Sequence, residues 1–192
     1  MRKLILASSS PFRRQILDKL QLEYSCISPD IDESAIEDEK PEDLVARLAV
    51  EKAQKIAETE NDCLIIGSDQ VAVLNNEILG KPHTHENAVA QLKKLSGHRV
   101  TFLTGLALIN AKTGNIQSEI VPFYVEFRDL SDEVIENYLR AETPYNCAGS
   151  FKSEALGIVL FDKLEGEDPN TLMGLPLIRL VRLLENEGFN VL

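Results

Sequence analysis

The chain has 192 residues, 44% hydrophobic and 27% charged, which is ordinary for a globular protein and enough for one sizeable core. Its formal net charge of −11 argues against a partner made of polymeric DNA or RNA, which requires a basic footprint. Cys26, Cys63 and Cys147 are widely spaced and form no Cys-x-x-Cys or Cys/His cluster, so neither a zinc site nor a disulfide scaffold is expected and a reducing cytoplasm suits the chain.

Arg2 and Lys3 precede only a short apolar run, Leu4 to Ala7, too short for a signal peptide and right for a buried strand. No apolar stretch is long enough to cross a membrane. Ser8, Ser9 and Ser10 come next, and Pro11 fits the first position of a helix with Ser10 as its N-cap. This helix reads from Pro11 to about Leu20, with Phe12, Ile16 and Leu20 on one face. Arg13 and Arg14 fall in its first turn, where cations oppose the helix dipole. Either they point to water, or an anion such as phosphate sits between them and the backbone N–H groups. Phe12 is either a core residue or a ligand contact. Residues 22–28 read as a strand, and Pro29 to Glu33 as a carboxylate-rich turn.

Residues 41–58 give the clearest helical pattern, opened by Pro41, with Leu44, Leu48 and Ile56 on one stripe. Lys52 lies on that stripe, and either snorkels outward or emerges in a cleft to meet an anion. Glu51 and Lys55 stand at pairing distance on the wet face. Cys63 to Gly67 reads as a buried strand interrupted by Ser68-Asp69-Gln70 and resumed from Val71 to Leu74. Asp69, at that interruption, is either a turn former or a catalytic carboxylate. Asn75-Asn76 turns the chain, and Gly80-Lys81-Pro82 is an extended loop.

Thr84 caps a helix ending near Ser96, with Ala88, Leu92 and Leu95 inward and Gly97 as its stop. His83 and His85 flank the cap; without a third ligand nearby they read as idle rather than metal-binding. Residues 99–110 and 116–128 are two strands joined through Thr113-Gly114-Asn115. A helix opens at Ser131 and stops before Pro144. Residues 145–154 form a loop of small and polar residues, and Gly157 to Phe161 reads as a strand. Asp168 opens a capped turn, and the last helix, from about Pro176, presents Leu177, Leu180, Val181 and Leu184. Strands and helices alternate irregularly around one long hairpin, which indicates an α/β class with a mixed sheet in a single domain spanning 1–192, with room for two lobes.

Arg13, Arg14, Lys52 and Lys81 supply positive charge, and Glu33, Asp69 and Glu154 supply carboxylates. Cations offset the charge of a triphosphate; carboxylates serve as a general base and as hard oxygen ligands for Mg²⁺ or Mn²⁺. With no Walker loop and no dinucleotide fingerprint, metal-assisted hydrolysis is the simplest phosphate chemistry for such a set.

Leu-Ala-Ser-Ser-Ser-Pro followed by Arg13-Arg14 resembles the opening signature of the Maf family of nucleoside triphosphate pyrophosphatases. Glu33-Ser34, the segment around Lys52, Gly67-Ser-Asp69-Gln70, Gly80-Lys81-Pro82, Thr104-Gly105, Ala148-Gly149-Ser150 and Asn170-Thr171 with Gly174-Leu-Pro176 are similar to further motifs of that family, in its order. The resemblance implies an elongated, twisted mixed sheet flanked by helices, with two lobes around a central cleft (ITPase-like). It implies hydrolysis of a nucleoside triphosphate to the monophosphate and diphosphate, with Mg²⁺, Mn²⁺ or Co²⁺ as cofactor. It implies that Asp69 activates water, that Glu33 and Asp69 hold the metal, and that Ser8, Ser10, Arg13, Arg14, Lys52 and Lys81 bind the phosphate chain. A homodimer is common in the family.

By the same resemblance, Phe12, Gln70 and Glu154 choose the base. Phe12, where members taking dTTP and UTP usually carry arginine, and Ser-Phe-Lys-Ser-Glu154 look like the subgroup acting on 7-methyl-GTP. A 7-methylated guanine is positively charged and suits an aromatic face. A broader enzyme for dTTP, UTP or other modified nucleotides, and a non-enzymatic nucleotide-binding regulator, for instance of cell division, are the alternatives.

Overall fold

The structure is a computed structural model and describes residues 2–192. In chain order the elements are β1 (Lys3–Leu6), α1 (Pro11–Leu17), β2 (Ser25–Cys26), α2 (Pro41–Ala57), β3 (Cys63–Leu74), β4 (Glu77–Leu79), α3 (His85–Leu95), β5 (Arg99–Asn110), β6 (Asn115–Phe127), α4 (Asp132–Glu142), β7 (Phe161–Gly166) and α5 (Leu177–Asn186). The strands form one sheet in the order β2-β1-β3-β5-β6-β7, with β4 paired to β3. β1 runs parallel to both β2 and β3, whereas β3–β4 and β6–β7 are antiparallel, so the sheet is mixed as expected. The residues group into two compact units. The first comprises the described residues up to Gln70, with Leu103–Val121 and Glu167–Leu192; the second comprises Val71–Phe102 and Pro122–Gly166.

In the first unit β1 and the start of β3 are buried on both faces. Leu4 and Leu6 face a cluster containing Ile16 and Leu17 of α1 and Leu177, Leu180, Leu183 and Leu184 of α5. Ile5 and Ala7 face the opposite cluster, with Ala53 and Ile56 of α2. Leu64 and Ile66 divide from Cys63 and Ile65 in the same way. Successive side chains alternate across a strand, so a strand covered on both faces must be apolar throughout, which is why the runs 4–7 and 63–66 contain no polar residue. In the second unit, α3 buries Ala88, Leu92 and Leu95 and α4 buries Ile135, Tyr138 and Leu139. Phe151 meets Phe102, Phe127 and Phe161 edge to face with ring centroids 5.0–5.5 Å apart.

The caps fall where the sequence places them: Ser10, Thr84 and Ser131 each accept a hydrogen bond from the backbone N–H three residues on. Other expectations are corrected. α1 ends at Leu17 and a 3-10 turn carries the chain to Leu20. Phe12 is 40% exposed while Ile16 is buried, which removes Phe12 from the core. Of residues 22–28 only Ser25 and Cys26 form a strand. β3 is continuous from Cys63 to Leu74, so Asp69 sits inside a strand rather than at a break. Asn75 and Asn76 both adopt positive φ and make the two-residue turn of a hairpin into β4, a strand not anticipated. Gly157 lies in a 3-10 helix, Leu156–Leu160, and the strand begins only at Phe161. In α5, Leu183 is buried in place of Val181, which is half-buried. Glu51 pairs with Arg47, and Lys55 with Glu58, instead of with each other.

α2 lies against the sheet at two glycines. A Cβ on Gly67 would stand 2.0 Å from the Ala49 carbonyl oxygen, and one on Gly105 would stand 2.0 Å from that of Val45. Backbone against backbone at these points sets the depth at which α2 presents its side chains. Gly67→Ala and Gly105→Ala are each expected to lower stability by about 1–3 kcal/mol through overpacking. Gly80→Ala, where an added Cβ meets nothing within 4 Å, should leave the melting temperature unchanged in the same thermal unfolding experiment.

Candidate active site

The site grows from the alternation of β3 in the first unit. Gly67 and Asp69 point towards α2, while Ser68 and Gln70 point the other way. On the α2 side, Lys52 is only 4% exposed and donates to Asp69 Oδ1 at 2.7 Å. The same Nζ lies 2.8 Å from Glu33 Oε1. Asp69 is 8% exposed, whereas the Glu33 side chain is 58% exposed on a segment without helix or strand. The lysine does not snorkel. It stays on the apolar stripe, and the anion it meets is a pair of carboxylates. A buried ammonium is costly unless paired, and here two carboxylates offset that cost. One of its N–H bonds goes to Asp69, and Glu33 meets it as an ion pair.

On the other face, Ser68 Oγ donates to the Gly174 carbonyl at 3.0 Å, and Arg13 Nε donates to the same oxygen at 2.9 Å. Burial lowers the pKa of the Arg13 guanidinium, and the nearby charges of Asp69 and Glu33 act against that. Arg13 thus feels the charges of Asp69 and Glu33, while its side-chain hydrogen bond goes to the Gly174 carbonyl. Gln70 Nε2 donates to the Thr171 carbonyl at 2.6 Å and to Thr104 Oγ1 at 2.8 Å. The side-chain carbonyl of Gln70 remains for a ligand. The Thr171 hydroxyl is buried without a hydrogen-bond partner among the described residues.

Ser8 is buried, and its Oγ accepts from the Ser10 backbone N–H at 3.1 Å. Ser10 Oγ caps α1 by accepting from Arg13 N at 3.4 Å. Both hydroxyls shape the turn into α1, a helix of only seven residues. Arg14 is not drawn to the carboxylates. It lines a depression of about 540 Å³ with Asp18, Leu22, Glu23, Tyr24 and Cys26. Phe12 is exposed on α1.

Lys81 and Glu154 belong to the second unit. The loop around the exposed Lys81 is pinned on both sides: Gln91 Nε2 donates to the Gly80 carbonyl at 3.0 Å, Asn87 Nδ2 to that of Pro82 at 3.0 Å, and His83 N to that of Tyr145 at 2.9 Å. Gln91 Oε1 also accepts from Ser150 Oγ. Glu154 is exposed, on a loop held by Lys152 N donating to the Tyr138 hydroxyl and by Lys152 Nζ pairing with Glu142. His85 spends its ring nitrogens on Tyr145 and Glu136.

Among the described residues no group of three or more His, Cys, Asp and Glu side chains is placed to hold a metal ion. Glu33 and Asp69 nevertheless aim oxygens at one point, which the Lys52 ammonium marks. Two carboxylates sharing a cation suit Mg²⁺ or Mn²⁺, which complete their coordination with water and phosphate oxygens. Arg47, on α2, is a contributor that the sequence pattern does not single out. Its guanidinium takes both oxygens of Glu39 at 2.7 and 2.8 Å, Glu51 at 2.9 Å and the Ser34 carbonyl at 3.1 Å. The one signal in the sequence is the presence of glutamates both before α2 and one turn along it.

A protein of Colwellia psychrerythraea is 56% identical over all of this chain and 96% of its own length. One of Pseudomonas syringae pv. tomato is 59% identical over the whole of both chains, and one of Alcanivorax borkumensis is 60% identical over 96% of this chain and 94% of its own. Each is named a 7-methyl-GTP pyrophosphatase. Among solved structures, a HAM1 protein from Coxiella burnetii matches 66% of this chain and 73% of its own at 20% identity, with a TM-score of 0.49. The Ham1 protein of Staphylococcus aureus matches 67% and 73% at 19% identity, with a TM-score of 0.47. A profile of Maf-like proteins matches residues 3–187, and on that extent of agreement the chain belongs to the Maf-like protein family.

Proposed function

We propose that this protein hydrolyses 7-methyl-GTP to 7-methyl-GMP and diphosphate with a divalent cation, Mg²⁺, Mn²⁺ or Co²⁺, in a house-cleaning role that keeps modified nucleotides out of nucleic acids. The observation that carries this reading is the convergence of Glu33 and Asp69 on the Lys52 ammonium. The relatives named 7-methyl-GTP pyrophosphatase support the substrate. Among the described residues no helix is long and apolar enough to cross a membrane, and three unpaired cysteines suit the cytoplasm.

In this reading Asp69 takes a proton from water as the water oxygen forms its bond to the α-phosphorus. The bond from that phosphorus to the bridging oxygen breaks, and diphosphate leaves with the electron pair. Lys52 holds Asp69 through Oδ1, leaving Oδ2 to face the water. Arg13 is anchored by Nε, so its terminal nitrogens serve the phosphate oxygens. A divalent cation held by Glu33 and Asp69 would neutralise phosphate charge and polarise the phosphoryl oxygens.

Phe12 presents an exposed ring, and the cationic 7-methylguanine would gain about 0.5–2 kcal/mol on an aromatic face. The exposed Glu154 carboxylate can accept the guanine N1–H and amino hydrogens together, whereas a uracil or thymine edge offers one such donor.

A nucleotide panel tests the activity. With Mn²⁺, 7-methyl-GTP should turn over fastest and release diphosphate, and EDTA should stop the reaction. Release of orthophosphate would overturn the mechanism. Asp69→Asn should lower kcat by about 10²–10⁴-fold; a variant within a factor of a few of wild type would remove Asp69 as the base. Phe12→Arg and Glu154→Gln should depress kcat/KM for 7-methyl-GTP more than for dTTP or UTP. Equal losses on all three substrates would favour a broader enzyme.

A further inference from the structure

We propose that Arg47, braced by Glu39, is a positioning residue for Glu33. The proposal rests on Glu33 acting in the hydrolytic site in the role given to it under the proposed function. Glu33 has no secondary structure to hold it: residues 27–40 contain neither helix nor strand. A half-exposed carboxylate on such a segment must be ordered by something, because each free residue costs conformational entropy to fix. The Asp32 carboxylate accepts from Ser34 N at 2.9 Å, a local tie that spans Glu33.

Arg47 fastens the segment immediately after Glu33. From α2, the helix that also carries Lys52, its Nη2 donates to the Ser34 carbonyl. Its Nε and Nη2 hold Glu39 in a two-bond fork, a geometry that fixes orientation as well as charge. Glu39 in turn accepts from Ile36 N at 3.0 Å, closing the loop 34–39 on itself. Nη1 goes to Glu51, one turn further along α2, which fixes the plane of the guanidinium. The fork and the Ile36 N–H hold the Glu39 carboxyl at about 2, so the clamp stays ionised through the neutral range. Glu33 and Lys52 are therefore referenced to one helix, Lys52 directly and Glu33 through Arg47. The planar fork requires arginine; lysine, a point charge, cannot make it.

The test uses the full chain with Arg47→Ala, Arg47→Lys and Glu33→Gln. Backbone hydrogen exchange over residues 30–39 should speed up at least tenfold in Arg47→Ala while α2 stays protected. The Mn²⁺ concentration giving half-maximal turnover should rise about 10–100-fold in Arg47→Ala and Glu33→Gln, with KM for nucleotide little changed, and Arg47→Lys should restore little of the loss. Faster exchange with an unaltered Mn²⁺ requirement would overturn the proposal and leave Arg47 as a purely structural tie. If Glu33→Gln itself leaves the Mn²⁺ requirement unchanged, the role of Glu33 fails, and the positioning claim with it. Should Arg47→Ala not fold, Glu39→Gln removes half of the fork more gently, and the same two outcomes decide.

Discussion

A buried lysine ammonium held between a buried aspartate and an exposed glutamate is the interaction on which the rest depends. Lys52 could occupy its place on the buried stripe of α2 only if its charge were met there, and Glu33 and Asp69 meet it. That in turn fixes how closely α2 must lie to β3. The absence of a side chain at Gly67, two residues before Asp69 on the same face, is what allows the approach, and Gly105 repeats it on β5. Packing and electrostatics are therefore one constraint here: a helix displaced outward by a methyl group would part the lysine from Asp69.

The net charge of −11 sharpens this cluster. Two carboxylates, one ammonium and one guanidinium are nearly balanced among themselves. A polyanion entering such a site meets no excess of local positive charge, which disfavours a long nucleic acid.

Much of the fold could be read from local patterns, and the reason is physical. Caps at Ser10, Thr84 and Ser131 are contacts within three residues, so the residues that make them are neighbours in the sequence. Runs such as 63–66 are apolar because both faces of the strand are covered. The misreadings share a different cause. Ser68, Asp69 and Gln70 look like a break in a strand because their partners, Gly174, Lys52 and Thr171, lie far along the chain. β7 reads Phe-Asp-Lys-Leu-Glu-Gly, with too much charge for a core strand, since it sits at the end of the sheet order and is largely exposed. The importance of Lys52 showed in the sequence as a charge out of place. Arg47 showed nothing comparable, because an arginine among glutamates on a wet face is what most helices carry.

The way the chain is divided has a consequence for its history and its engineering. It passes from one compact unit to the other at Gln70–Val71, Phe102–Leu103, Val121–Pro122 and Gly166–Glu167, and the first three passages occur inside β3, β5 and β6. Neither unit is a contiguous stretch, so no single cut, fusion joint or recombination breakpoint can lift one out whole. A truncation from either end takes part of the first unit. Such a protein can vary by substitution and by lengthening its loops, but not by exchanging one half for another.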